Sequence, residues 1–357
     1  MNNDYLYIRL NKNNSFKESK FFNIIYKDFI LILILIIIII GYNNKKYITL
    51  YKEIFLNENY YNISEKSKQY QLDYNNTFII IKDNNCKICG LMAYYKHYLV
   101  CITKYINLGY IPIIDLISFP NIFNGYNISS IESNPWEIFF NQPFGYTLEN
   151  VLKNAKNIKY DKCKFRRKML SYYIFNNTNL IYYWHNIAIN YIPINKQMMV
   201  EAYFFIHNLF NDSKNILGIL IRGTDYLARR PSKHPITPNP EKVIEDIKYM
   251  NKKNKYDYFF IATEDDIIRK KFIISFGKKL KFISQKNIKY NYKSKKFLSN
   301  YKNIKGNINN MKQYLINIII LTKCIDIISA RTSGSIGVFI FSNGFRNAKV
   351  YFLGEYE

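Results

Sequence analysis

Glycine and proline are scarce, at 13 and 9 residues in 357, which excludes collagen-like and turn-rich low-complexity architectures. No internal repeat of solenoid or propeller length is present. Arginine is rare beside lysine, although the formal net charge is +25. Lysine, asparagine, isoleucine and tyrosine are inflated together, as AT-rich coding sequence produces, so the charge does not by itself mark a partner. An RNP-type stretch, a zinc finger and an arginine-rich arm are all missing, which argues against nucleic acid as a ligand. The basic surface still suits phosphorylated ligands or anionic lipid.

Cysteine is limited to Cys86, Cys89, Cys101, Cys163 and Cys324. Cys86 and Cys89 have the spacing of half a zinc site or of a redox pair. The nearest candidates for a second half, His97 and Cys101, do not repeat that spacing. Buried structural roles are therefore expected for the cysteines, with no metal ion and no cofactor.

What the chain does hold is apolar mass. It is 48% hydrophobic and 17% aromatic, enough for two ordinary cores plus an extension. Residues 29–40 read FILILILIIIII, shorter than the roughly 20 residues that cross a bilayer core. Adding 21–26, FFNIIY, reaches spanning length, with Lys27 and Asp28 snorkelling. The alternative is a buried parallel strand. A small-residue cleavage site does not follow. We expect a tail and single-pass membrane anchor over 1–42 and a polar stem over 43–76. An N-terminal α/β domain over 77–212 and a C-terminal Rossmann-like domain over 213–357 complete the chain. Lysines flank the apolar run on both sides, so charge leaves its orientation open; the body is expected to be cytoplasmic.

In the body, FIII at 78–81, a helical pattern over 90–105 and YIPIIDLI at 110–117 spell strand, helix, strand, a parallel unit. Residues 134–147, NPWEIFFNQPFGYT, read more as loop than element. Trp136, Phe139 and Phe140 there either stack on a sugar or cover a core. Helices are expected over 182–192 and 196–211. The second half repeats the alternation, with strands at 216–221, 258–262, 280–283 and 326–330. Helices are expected over 240–252, 265–276, 311–324 and 336–341.

In an open parallel sheet, ligands bind beyond the carboxyl ends of the strands. Three strand ends carry chemistry: Arg222-Gly223-Thr224-Asp225, Thr263-Glu264-Asp265-Asp266 and Arg331-Thr332-Ser333-Gly334-Ser335. They offer guanidinium for phosphate oxygens, carboxylates for sugar hydroxyls or a proton, and a helix opening that favours an anion. A strand ending in Asp-x-Asp, as in metal-dependent sugar transferases, is missing. Arginine is then expected to do the work of a divalent cation on a leaving diphosphate. A plainer reading is that Arg222 and Asp225 only pair within a turn.

The string from Ile221, IRGTDY, then His234-Pro235-Ile236, then Phe260 to Asp265, FIATED, resembles the first sequence block of the fucosyltransferase superfamily. That superfamily includes α-1,6-, nodulation and protein O-fucosyltransferases. ISARTSGS from Ile328 is similar to its third block. GYIPIID from Gly109 and Asn134-Pro135-Trp136-Glu137 with Gln142-Pro143 resemble a branch found in surface-polysaccharide gene sets.

The resemblance implies a GT-B-like fold, two Rossmann-like domains facing a cleft. It further implies inverting, metal-independent transfer of a sugar from a nucleotide-sugar donor, with GDP-fucose as default, to a glycan acceptor. By position Arg222 would hold the β-phosphate and Asp225 would hold the loop or assist proton transfer. Thr224, His234, Glu264 and Asp265 would lie at the donor, with Arg331, Ser333 and Ser335 near the diphosphate. The departures are Gly223 in place of a second arginine, Leu220 in place of a histidine, Arg230 at the position of an acid, and Asn317 in place of an aspartate. Arg229 and Arg230 are candidates to replace the second arginine from across the loop. The base stays open among Asp225, His234 and Glu264. The alternatives are the same fold with another donor, or a non-catalytic sugar or nucleotide binder.

Overall fold

The computed structural model describes residues 72–82, 89–125, 133–163, 170, 172–283, 290–294, 298 and 307–357. The expected anchor and most of the expected stem lie outside these residues. No helix among the described residues is long and apolar enough to cross a membrane.

The first sheet is built from β1 (Thr77–Ile81), β2 (Ile111–Ile114) and β3 (Asn157–Asp161), in the order β2-β1-β3 with both pairings parallel. Alternation along β1 explains its central place. Phe78 and Ile80 face one cluster with Leu148 and Val151, while Ile79 and Ile81 face the main core. Helix α1 (Leu91–Asn107) crosses between β1 and β2 and buries Tyr95, Tyr98 and Leu99.

The segment 134–147 is more ordered than its prolines suggested. It forms a short helix, α2 (Pro135–Phe139), and a 3-10 turn at Pro143–Gly145, followed by α3 (Leu148–Asn154). Trp136, Phe139 and Phe140 are fully buried, which decides for the core-covering reading over sugar stacking. Trp136 stacks on Tyr95 at 6.0 Å between centroids. The polar residues of the segment close the outer edge of β2. The Asn134 side-chain amide donates to the Ile114 carbonyl at 2.7 Å and its oxygen accepts from the Leu116 amide at 3.2 Å. Gln142 brackets Ile114 by accepting from its N–H at 2.9 Å and donating to its carbonyl at 2.8 Å. Side-chain amides thus satisfy a strand edge that would otherwise be unpaired.

Helices α4 (Thr178–Tyr191) and α5 (Lys196–Phe210) lead to the second sheet. It comprises β4 (Ile216–Leu220), β5 (Tyr258–Ala262), β6 (Leu280–Lys281), β7 (Asp326–Ala330) and β8 (Asn347–Tyr351). All pairings are parallel and the order is β6-β5-β4-β7-β8. Around it lie α6 (Thr224–Arg229), α7 (Pro240–Asn254), α8 (Asp266–Phe276), α9 (Ile308–Thr322) and α10 (Ser333–Phe341).

Alternation again sets the layers. Leu217, Ile219, Phe259, Ile261 and Ile328 pack with Val243, Ile247 and Phe272 of α7 and α8. Phe260, Ala262 and Ile327 join the main cluster with α9 and α10. That cluster also holds α1, α4 and α5, so one apolar body is shared by the two sheets. The chain is an α/β protein with parallel sheets.

Cys101 of α1 and Cys163 just after β3 form a disulfide with 6.1 Å between Cα atoms. Cys89 is also disulfide-bonded, and Cys324 is free and buried. The structural role expected of the cysteines therefore includes a cross-link whose partners stand 62 residues apart.

Candidate active site

In the order β6-β5-β4-β7-β8, β4 is the first strand in sequence, and the chain runs outward from it in both directions. The topological switch point lies between β4 and β7, where the crossing helices leave to opposite sides and a crevice opens. Arg222 leaves the end of β4, Glu264 the end of β5, and Arg331 the end of β7. The three strand ends therefore share one rim.

Arg222 is gripped rather than loose. Its Nη2 donates to both carboxylate oxygens of Asp225, at 3.0 and 3.2 Å, and its Nε lies 3.6 Å from Glu264. Its guanidinium lies over the Tyr226 ring at 4.8 Å. Burial opposes its charge, but the Asp225 and Glu264 carboxylates outweigh that and raise its pKa above the ordinary value. One third of the side chain stays exposed, although its Nε is buried. The pairing within a turn is real, and it leaves the side chain partly exposed.

Glu264 accepts from the Gly223 amide at 2.9 Å and the Thr224 hydroxyl at 3.0 Å. Its pKa is raised, chiefly by burial, against the opposing pull of Arg222. Asp225 is buried and also accepts the Leu298 amide at 3.1 Å. Asp265 has both oxygens taken by protein. One caps α8 through the Ile267 and Ile268 amides at 2.9 and 3.1 Å; the other accepts the Thr224 amide at 2.8 Å and the Tyr292 hydroxyl. Asp265 therefore organises the loop around Thr224 and the start of α8.

The departure at Gly223 has a steric cause. A Cβ there would come within 2.2 Å of Asp265 Oδ2 and 2.5 Å of its Cβ. The next residue, Thr224, takes a left-handed φ of 40° and buries its side chain. No second arginine fits beside Arg222 in this loop. Arg229 and Arg230 are exposed at the end of α6, with Arg230 in the left-handed region at φ 48°. His234 is half-buried, with its ring edge-on to Tyr226 at 5.4 Å.

The C-terminal rim is more committed than the sequence suggested. Arg331 is buried, donates to the Asn176 side chain at 3.1 Å, and stacks on Phe352 at 3.8 Å. Thr332, not a serine, caps α10 by accepting the Ser335 amide at 3.1 Å. Ser335 is fully buried and its hydroxyl donates back to the Ala330 carbonyl. Ser333 sits half-buried in the first helical turn. Asn317 is buried within α9 and donates to the Gln313 carbonyl one turn back at 2.8 Å.

Several contributors had no sequence signal. Tyr314 of α9 lies in electrostatic contact with Arg222 and Glu264, and burial raises its pKa to about 12. A Cβ on Gly334 would come within 2.6 Å of its hydroxyl, so α9 and α10 meet beside the arginine. The chain from 233 to 236 is bound by the C-terminal segment. Lys233 and Ile236 donate to the Tyr356 and Gly354 carbonyls at 2.8 and 3.0 Å, and Tyr356 donates to the His234 carbonyl at 2.9 Å. At the other sheet, Glu137, Asn195, Gln197, Asn309 and Lys312 line a cleft of about 410 Å³ between α2, α5 and the start of α9.

Solved fucosyltransferases are among the structures that match the chain, each at a TM-score below 0.5. The NodZ α-1,6-fucosyltransferase soaked with GDP-fucose matches with 12% identity and a TM-score of 0.42, over 74% of this chain and 93% of that one. POFUT1 in complex with GDP-fucose matches with 8% identity and a TM-score of 0.46, over 79% and 99%. The fucosyltransferase NodZ from Bradyrhizobium matches with 11% identity and a TM-score of 0.41, over 73% and 92%. No protein-family profile matches the sequence, and no curated protein does.

Proposed function

We propose that the chain is a GT-B glycosyltransferase that moves a sugar, fucose from GDP-fucose by default, onto a glycan acceptor with inversion and without a metal ion. The observation that carries the reading is Arg222 at the switch point of a parallel sheet, charged, partly exposed and held in place by two carboxylates. It stands within the Arg-x-Thr-Asp, His-Pro-Ile and Ala-Thr-Glu-Asp series that resembles the fucosyltransferase block.

In this reaction an acceptor hydroxyl oxygen attacks the anomeric carbon as the bond to the diphosphate oxygen breaks. Negative charge grows on the departing diphosphate. A guanidinium already oriented toward it stabilises that charge without reorganising at the moment of transfer. Asp225 and Glu264 are the positioning residues for that guanidinium. With both engaged there, His234 is our choice for the group that takes the acceptor proton. Ser333, at the opening of α10, and the exposed Arg229 and Arg230 are the remaining donor-contact candidates.

Incubation with GDP-fucose and a mixed glycan acceptor in the presence of a chelator tests the assignment. Transfer of fucose from the β-linked donor with formation of the inverted, α-linked product supports it. Transfer only from another nucleotide sugar moves the donor assignment. Binding without transfer or hydrolysis of any donor favours the non-catalytic alternative.

A further inference from the structure

We propose that His97, Cys101 and Cys163 form a redox-gated metal site, in which a soft divalent cation such as Zn²⁺ replaces the disulfide when that bond is reduced. His97 and Cys101 are one helical turn apart on α1 and project along the same face. Their ligand atoms, Nε2 and Sγ, lie 3.5 Å apart. The edge of a tetrahedral site with Zn–S near 2.3 Å and Zn–N near 2.05 Å is roughly 3.6 Å. The pair on α1 is therefore already at chelating separation. Cys163 supplies the third ligand, and the three ligand atoms lie within 4.8 Å of one another.

Cys163 stays near after reduction because the disulfide is not all that joins the end of β3 to α1. The Tyr105 hydroxyl donates to the Asp161 carboxylate, and Lys104 lies 4.0 Å from the same group. The Cys163 amide donates to the other Asp161 oxygen at 3.3 Å. This anchor is independent of either sulfur. A modest shift of the Cys163 side chain would open the sulfur–sulfur separation to about 3.8 Å, the edge of the same tetrahedron.

The chemistry balances. A dithiol reductant gives two electrons and two protons to the disulfide and becomes a cyclic disulfide itself. The two thiols then lose their protons as the dication binds, and neutral His97 donates its Nε2 lone pair. Two thiolates and a dication sum to zero charge, which suits a site whose cysteines are buried. Water or a small ligand takes the fourth position. Either the disulfide or the metal then staples α1 to β3, so the first sheet keeps its cross-link in both redox states.

Cobalt(II) titration of the full chain tests this, with a thiol-free phosphine reductant under anaerobic conditions. One equivalent should produce thiolate-to-cobalt charge transfer and intense tetrahedral d–d absorption, absent from the oxidised chain and displaced by Zn²⁺. Cys89→Ser and Cys324→Ser should leave the signal unchanged. His97→Ala keeps both cysteines and should weaken binding by more than about tenfold, the lower range for losing even an outer-shell partner. X-ray absorption of the reduced wild-type zinc form should show two sulfurs and one nitrogen near the distances given above. A reduced chain without the charge-transfer band, a band abolished by Cys89→Ser, or a four-sulfur shell would overturn the proposal.

Discussion

Gly223 and Asp265 approach so closely that a Cβ on the glycine would lie 2.2 Å from the carboxylate. Asp265 cannot easily retreat, because it caps α8 and holds the Thr224 amide. Gly223→Ala should therefore destabilise the fold by about 1–3 kcal/mol, the usual range for overpacking. Because the two residues touch, the cost should fall in an Asp265→Ala background. Urea unfolding of both single variants and the double variant measures that coupling; strict additivity would contradict it.

Restoring the second arginine by Gly223→Arg follows from the same contact. It should weaken nucleotide binding rather than strengthen it, because the substitution displaces the loop that presents Arg222. Titration with GDP checks the direction.

Arg222 neutralises the two carboxylates it grips, so its loss touches stability as well as chemistry. We expect Arg222→Ala to abolish transfer and to cost about 1–3 kcal/mol, less than the 3–5 typical when a fully buried pair is broken, since a third of the side chain is exposed. An active, fully stable variant would contradict both roles.

Glu264 has a folded-state pKa raised by burial. The native state therefore binds its proton more tightly than the unfolded chain does. Its contribution is favourable below the ordinary glutamate range and is lost as pH rises through the raised value. Glu264→Gln keeps an oxygen for the Gly223 amide and removes this titration. Relative to the wild type, its stability should improve as pH rises through that window. Unfolding midpoints across a pH series give the comparison.

Trp136 is fully buried against Tyr95 and Phe140. Trp136→Ala should cost about 3–5 kcal/mol by creating a cavity. Its main effect should be a lower thermal midpoint rather than a changed acceptor preference, and a normal midpoint with altered specificity would return this residue to the binding surface.

Much of this arrangement is legible in the sequence because the central strands are apolar on both faces. ILGIL, YFFIA and DIISA each stand between two helical layers, and their ends locate Arg222, Glu264 and Arg331 on one rim. The edge strands β3 and β8 carry no such signal, for the complementary reason. NIKYD and NAKVY are largely exposed and carry charges, so they lack the apolar run and the clean alternation of a buried strand. Helix α6 was hidden because its six residues are too few for a helical period. The burial of Trp136 depends on neighbours distant in sequence, as does the pairing of Cys101 with Cys163. Tyr314 offered no motif at all; only the packing of α9 against α10 brings it to the arginine.

The most direct test is calorimetric titration of GDP into the wild-type chain and into Arg222→Ala. Binding by the wild type and a loss of more than about tenfold in the variant, as expected for removing a charge-assisted bond to phosphate, is the predicted result. No nucleoside diphosphate binding by the wild type, or equal affinity in both, would contradict the assignment of this rim to a nucleotide-sugar donor.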